Sequence, residues 1–289
     1  MPALNDPEGA HVPDGARVID AHVHLFPDRV ATAIWAWFDA HGWPIRYKLS
    51  ADTIVQFLAT RGVSQIVGLV YAHKPGMAES LNAFIAGLAD RYPSVIPCGT
   101  VLPGEPDTRA IVARAFNRYG LAGIKIHCHV QCVAPDDPRL DPVYEEAAAA
   151  LRPVVIHAGR EPASDAYRCD PHALCSAAAV RRALERHPSL TLVVPHLGAD
   201  EFDAFDTLLD DFPRLMLDTT MMLANYFPVA PPADLLHRRA DRLIYGTDFP
   251  NIPYAWDREL RHIVAANLSP DARDAILYKN TLRVFSRSS

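Results

Sequence analysis

The sequence predicts an α/β protein closed as a (β/α)8 barrel, on three observations. Eight short runs rich in β-branched residues alternate with longer Ala/Leu/Arg-rich stretches, the order that builds a parallel sheet. Several of the runs are apolar throughout, such as Val154-Val155-Ile156 and Leu192-Val193-Val194, as strands buried on both faces must be. The chain has 289 residues, long for an average domain but close to the size of such a barrel.

Strands are expected at 17–25, 65–72, 95–102, 123–128, 153–158, 191–196, 214–218 and 243–247. Between them, apolar residues at three- and four-residue spacing predict helices over 51–61, 77–91, 107–119, 141–151, 171–187, 201–211 and 232–239. Two more, 256–266 and 270–278, close the chain. Ser50 and Asp52 are positioned to cap the first helix and Asp107 the third. Residues 1–16 read as an N-terminal extension and 17–289 as one barrel domain. The connection over 26–49 is much longer than an ordinary βα loop and carries Trp35, Trp37, Phe38 and Trp43. These aromatics cap the barrel or pack a subunit interface, compatible with a homo-oligomer, or else form a lid or wall of a substrate pocket.

Hydrophobic residues make up 49% and charged residues 21% of the chain, with a formal net charge of −6. That is a globular composition, and without a basic run it gives no electrostatic footprint for nucleic acid. No apolar run reaches membrane-spanning length, so no membrane partner is expected. Met1 to Asp14 contains no Lys or Arg, unlike a signal peptide. The five cysteines are odd in number and scattered. That fits a reduced, cytoplasmic setting better than a disulfide framework.

The informative residues are polar ones that end apolar strands. Ile19-Asp20-Ala21-His22-Val23-His24 ends the first, and alternation along a strand points His22 and His24 the same way. His157 ends the fifth strand, His196 the sixth and Asp248 the eighth. In a barrel all five converge on the C-terminal end, where active sites lie. Four imidazoles and a carboxylate so placed predict a metal site.

These residues resemble the amidohydrolase superfamily, specifically the amidohydrolase-related branch that includes aminocarboxymuconate-semialdehyde decarboxylase. The resemblance rests on His22-Val23-His24, the strand-four Lys125 in Gly123-Ile124-Lys125-Ile126-His127, His157, His196 and Gly246-Thr247-Asp248-Phe249-Pro250. Gly99-Thr100-Val101-Leu102-Pro103-Gly104, Asp136-Asp137-Pro138-Arg139-Leu140 and Asn280-Thr281-Leu282-Arg283-Val284-Phe285 also match. It implies a TIM barrel in which His22, His24, His157 and Asp248 hold one divalent ion, zinc by preference. The ion would activate a water. Asp248 would serve as ligand and proton carrier, and His196 as an acid/base that is not a ligand.

Lys125 is read as binding a substrate carboxylate or supporting the site. In two-metal relatives the corresponding lysine is carboxylated and bridges the ions, which would admit a second metal here; a structural ion pair is the third reading. His127 and Arg160 are further candidates for substrate contact, Arg160 through a bidentate grip on an anion. A surface salt bridge is the competing reading for Arg160. The run His127-Cys128-His129-Val130-Gln131-Cys132 reads as a pocket-lining loop, with a small zinc knot as the alternative. Asp20 and Asp218 are read as supporting a ligand or joining a strand-end hydrogen-bond network, and Asn251, Tyr254 and Trp256 as potential substrate contacts.

The implied function is a metal-dependent hydrolase acting on an amide, ester or lactone bond of a small substrate that can carry a carboxylate. A non-oxidative decarboxylase of the same branch is the alternative, and a non-catalytic metal-binding protein the third.

Overall fold

The computed structural model describes residues 5–9, 12–13 and 15–286; of the N-terminal extension, 1–4, 10, 11 and 14 lie outside the described residues. Eight strands form: β1 (Ile19–His24), β2 (Gln65–Leu69), β3 (Val95–Thr100), β4 (Gly123–His127), β5 (Val154–His157), β6 (Leu192–Val194), β7 (Leu215–Asp218) and β8 (Leu243–Ile244). They pair in sequence order and every pair is parallel. The ring closes between β8 and β1: the Ala21 N–H donates to the Tyr245 carbonyl at 2.9 Å, and the Asp248 N–H to the His22 carbonyl at 3.0 Å. Val23 and Phe249 form a parallel bridge just beyond.

Five of the strands, β1, β3, β4, β5 and β7, end on a polar residue: His24, Thr100, His127, His157 and Asp218. Ala21, Leu69, Cys98, Val155, Val193, Met216 and Ile244 fill the barrel interior, with Phe285 packed on the same cluster. Full burial of each aliphatic side chain there contributes about 1.5–3 kcal/mol. The N-terminal half of the barrel thus carries the core, and the C-terminal end is free to hold buried polar groups. The outer layer is built by the apolar faces of helices such as Ala51–Thr60, Ala78–Arg91 and Ala177–Arg186.

The helices differ from expectation at several places. The connection after β1 contains a 14-residue helix, Asp28–His41. Its Val30, Ile34, Trp37 and Phe38 recur at helical spacing, but only Ala31 is buried, so the stretch reads as a long aromatic connection rather than a core-facing helix. The helix expected over 171–187 is two, Pro171–Leu174 and Ala177–Arg186; Ser176 restarts it by accepting from the Ala179 N–H at 3.1 Å. Capping also differs in part. Ser50 accepts from the Thr53 N–H as expected, but Asp52 pairs with Arg91. Asp107, left-handed at φ 64°, makes no cap bond with its side chain.

One buried acid sits beneath the β7 and β8 loops. Glu259 is fully buried, accepts from the Leu223 N–H at 3.0 Å and receives the Tyr254 hydroxyl at 3.4 Å. Burial pushes its carboxyl well above the usual range, and the carboxylates of Asp218 and Asp20 add to the shift. A folded-state value above the unfolded one gives stability that is complete below the unfolded value and is lost as pH rises. Glu259→Gln keeps the bond from the Leu223 N–H on its remaining oxygen, reverses the other so that the amide donates to the Tyr254 hydroxyl oxygen, and removes the titration. The variant should therefore gain on the parent as pH rises from about 5 to about 8.5, as read by urea unfolding at both values. A pH-independent difference would show that Glu259 ionises as freely in the folded chain as in the unfolded one.

Candidate metal centre

The site is assembled at the polar strand ends. His22 and His24 come from β1 and Asp248 from the turn after β8; all three are buried, and one donor atom from each lies within 4.8 Å of the others. His24 Nε2 is 2.9 Å and His22 Nε2 3.6 Å from Asp248 Oδ1. Nitrogen and oxygen donors sharing one ion at bond lengths near 2.0–2.2 Å lie roughly 3–4 Å apart, so the spacing fits a divalent metal. His22 is wholly inaccessible, whereas His24 and Asp248 keep 5% and 7% exposure, so the trio has an open side.

The surroundings set the protonation of His22 and Asp248. His22 Nδ1 is 2.8 Å from Asp218 Oδ2; a carboxylate only accepts, so Nδ1 carries the proton and Nε2 presents its lone pair to the trio. Burial and the Lys125 charge hold His22 well below the usual imidazole range, which keeps it neutral, the state a metal binds. Burial pushes Asp248 upward, but the hydrogen bond from His24 and the nearby imidazoles outweigh it, so the carboxyl stays below its usual value and ionised. Asp20 supports the loop: the His22 N–H and both the N–H and the hydroxyl of Thr247 donate to it, at 3.1, 3.1 and 2.6 Å. This fixes β1 against the turn that carries Asp248. Gly246 in that turn has to lack a side chain, because a Cβ there would stand 2.8 Å from His22 Cβ.

The remaining predicted residues gather beside the trio. Lys125, fully buried, places Nζ 3.3 Å from His22 Nε2, and burial lowers it to about 8. His196 donates from Nδ1 to the Thr220 carbonyl at 3.0 Å, leaving Nε2 free, and its ring centroid is 6.1 Å from that of His22. His157 stands outside the three-residue group, 4.6 Å from His196, with Nε2 buried and without a partner. His127 and His157 occupy paired register positions on β4 and β5, and their rings accordingly stack at 4.3 Å and 11°.

Arg160 is placed otherwise. Its guanidinium pairs with Asp200 at 2.6 Å and reaches Glu201 at 3.7 Å, the surface-pair reading, and it is not among the cavity-lining residues. Tyr254 and Trp256 are core residues also absent from that lining, while Asn251 faces a small gap beside His24. Cys128–Gln131 is a helical turn, and among the described residues the only metal-competent group is His22, His24 and Asp248.

A cavity of about 800 Å3 opens next to this cluster. His127, His129 and Tyr71 belong to its wall, and Tyr71 packs edge-on against both His24 and His127. Trp37 and Phe38 line it as well, the pocket-wall reading of the long aromatic connection. Trp43 instead packs inward, its Nε1–H donating to the Asn251 carbonyl at 2.8 Å. His129 lines it as the pocket-lining reading of 127–132 expects, whereas Tyr71, Tyr167, Arg29, His73, Lys74 and Arg168, which also line it, have no such expectation from sequence. Tyr71 and His73 follow β2 directly, where a strand-end search could have found them; the others sit on loops and, for Arg29, at the start of helix Asp28–His41, where nothing in the chain marks a pocket wall.

Comparison with known proteins agrees with this geometry. The family model described as Amidohydrolase matches residues 19–287. A curated relative, 2-keto-4-carboxy-3-hexenedioate hydratase of Sphingobium sp., is 24% identical over 250 residues, covering 73% of this chain and 71% of its own. Among solved structures, 5-carboxyvanillate decarboxylase from Sphingomonas paucimobilis matches with a TM-score of 0.69 at 19% identity, over 93% of this chain and 98% of its own. The decarboxylase of the same name from Novosphingobium aromaticivorans, solved with bound manganese, gives 0.63 at 16% identity, over 96% and 99%. A family-model match over nearly the whole barrel means that this chain belongs to the amidohydrolase family.

Proposed function

We propose that this protein is a mononuclear, divalent-metal-dependent lyase that removes a carboxylate from a small planar acid. The observation that carries the reading is the trio of His22, His24 and Asp248, with His196 and Lys125 beside it, next to a cavity walled by Trp37, Phe38, Tyr71 and Tyr167. Flat aromatic walls suit a conjugated or aromatic substrate. The decarboxylase and hydratase relatives support a lyase over the hydrolysis of an amide, ester or lactone expected from sequence, which would use the same residues. Water addition to a double bond is the second reading, favoured by the hydratase relative.

His22, His24 and Asp248 would hold the ion, and His157, whose Nε2 is buried and unpartnered, would complete its donors. Three imidazoles and a carboxylate without thiolate suit zinc, with manganese close behind. When bound, the ion supplies a Lewis acid that orients and polarises the substrate oxygens or a water. Lys125 Nζ binds a substrate carboxylate oxygen. Breaking the C–C bond releases carbon dioxide and leaves the electron pair on carbon. Asp248 Oδ1 or His196 Nε2, each unprotonated as the fold leaves it, would first take a proton from solvent and then deliver it there, one proton taken up for each carbon dioxide released, while Asp218 keeps His22 in the tautomer its role requires. A cytoplasmic setting fits the free thiols of all five cysteines.

The test is product analysis on protein loaded with zinc or with manganese, across aromatic and oxo-acid carboxylates, esters and lactones. Carbon dioxide released in step with substrate loss, with solvent deuterium appearing at carbon, is expected. Oxygen-18 uptake without carbon dioxide would favour the hydratase reading, and cleavage confined to esters or lactones would restore the hydrolase.

A further inference from the structure

The charge of the cavity wall opposes that of the chain. The protein carries a net −6, yet the cavity-lining residues include Arg29, His73, Lys74 and Arg168 and no Asp or Glu. The cations come from three separate excursions: Arg29 from helix Asp28–His41 after β1, His73 and Lys74 from the loop after β2, and Arg168 from the loop after β5. Chain-local charge patterning therefore does not account for their meeting.

They are also unneutralised. Elsewhere arginines are routinely ion-paired, as with Arg109 to Glu145 and Glu146, or Arg239 to Asp206 and Asp210. Among the described residues, Arg29, Lys74 and Arg168 have no acidic partner; Arg168 makes one hydrogen bond, to the Val130 carbonyl at 3.3 Å. They act on one another: His73 is held below the usual imidazole range by burial and then by the charges of Lys74 and Arg168. Like charges gathered around one cavity repel, and an anion placed among them relieves that cost.

We propose that Arg29, Lys74 and Arg168 bind a second carboxylate of the substrate, remote from the group that faces the metal trio, so that the natural substrate is a dicarboxylate. This extends the reading of the protein as an enzyme of carboxylic acids and rests on it for the first carboxylate. Between the two ends, Ile34, Trp37, Phe38 and Tyr167 offer apolar contact to the substrate's carbon frame. The cations lie on exposed excursions, so they select the substrate without serving the fold.

The experiment is equilibrium binding to zinc-loaded protein of benzoate, isophthalate, isophthalate monomethyl ester and linear dicarboxylates from glutarate to suberate. The parent is compared with Arg29→Gln, Lys74→Gln, Arg168→Gln and the triple variant. At least one dicarboxylate should bind better than its monoacid or monoester, with an advantage that shrinks in high salt. Each single variant should lose about fivefold in dicarboxylate affinity with monoacid affinity unchanged, and Arg168→Lys should recover most of it. Equal binding of monoacids and every dicarboxylate tested, or a triple variant that keeps the preference, would overturn the proposal. Turnover is scored separately. A charge-dependent dicarboxylate preference without carbon dioxide release would retain the cationic subsite and reject decarboxylation; turnover of monoacids with no preference would do the reverse.

Discussion

Asp248→Asn should leave the barrel folded, lower turnover by about 10²–10⁴-fold and reduce the metal retained after dialysis. Asn has nearly the same shape, and the backbone bond from the residue-248 N–H to the His22 carbonyl does not involve the side chain. What is lost is the only carboxylate in the trio. The amide is a poorer donor to a cation than the ionised oxygen, and it cannot hold a proton in transit. The loss should therefore fall on kcat as well as on metal content, and saturating zinc or manganese should restore only part of the rate. Asp218→Asn provides the contrast. Asp218 touches His22 Nδ1 and the His196 N–H, so it acts through the ligand it orients, and its loss should cost about 10–100-fold in metal affinity. Excess metal should then recover most of the rate. Metal content by mass spectrometry, circular dichroism and turnover at several metal concentrations separate the two. An Asp248→Asn protein with full metal and near-parent turnover would put the chemical centre elsewhere.

The barrel and the centre were legible in the sequence for one shared reason. Strands buried on both faces leave an unbroken apolar signal, so the polar residue that ends it stands out. His157 after Val154-Val155-Ile156 and Asp218 after Leu215-Met216-Leu217 are such cases. The pairing of Asp218 with His22 was not legible, because it joins strands almost 200 positions apart in the chain and only ring closure brings them together. The cavity was legible only in part. Trp37 stood out as an aromatic in an over-long connection, but in helix Asp28–His41 only Ala31 is buried, so the stretch does not stand out as a core-facing helix. Arg29, Lys74 and Arg168 look like any solvated charge until three loops are folded over one opening. Arg160 shows the converse: its place after a strand-end histidine suggested substrate contact, and the acidic pair Asp200-Glu201 on the next loop takes it.

Gly198→Ala should be the most damaging small substitution next to the site, costing about 2–5 kcal/mol of stability and lowering kcat. After β6 the chain takes three successive left-handed residues, His196 at φ 58°, Leu197 at 53° and Gly198 at 74°. That turn reverses the backbone sharply enough to send His196 Nδ1 to the Thr220 carbonyl while keeping its ring beside His157 and His22. His196 and Leu197 already bear the steric cost of left-handed backbone; Gly198 bears none, and alanine would add about 1–2 kcal/mol. Space is the second obstacle. A Cβ on Gly198 would stand 2.1 Å from Phe205 Cδ2, and Phe205 is fully buried in helix Phe202–Asp211, so neither ring nor helix can yield without opening the core, a strain of about 1–3 kcal/mol. Relief by shifting the turn would displace His196, which is why activity should fall beyond what lost folded protein explains. Gly87→Ala is the control: it lies in helix Ala78–Arg91 with nothing near its missing Cβ and should stabilise by about 0.5–1 kcal/mol. Urea unfolding of both variants, with kcat per folded molecule, decides the matter. A Gly198→Ala protein as stable and active as the parent would mean that the left-handed turn does not seat His196.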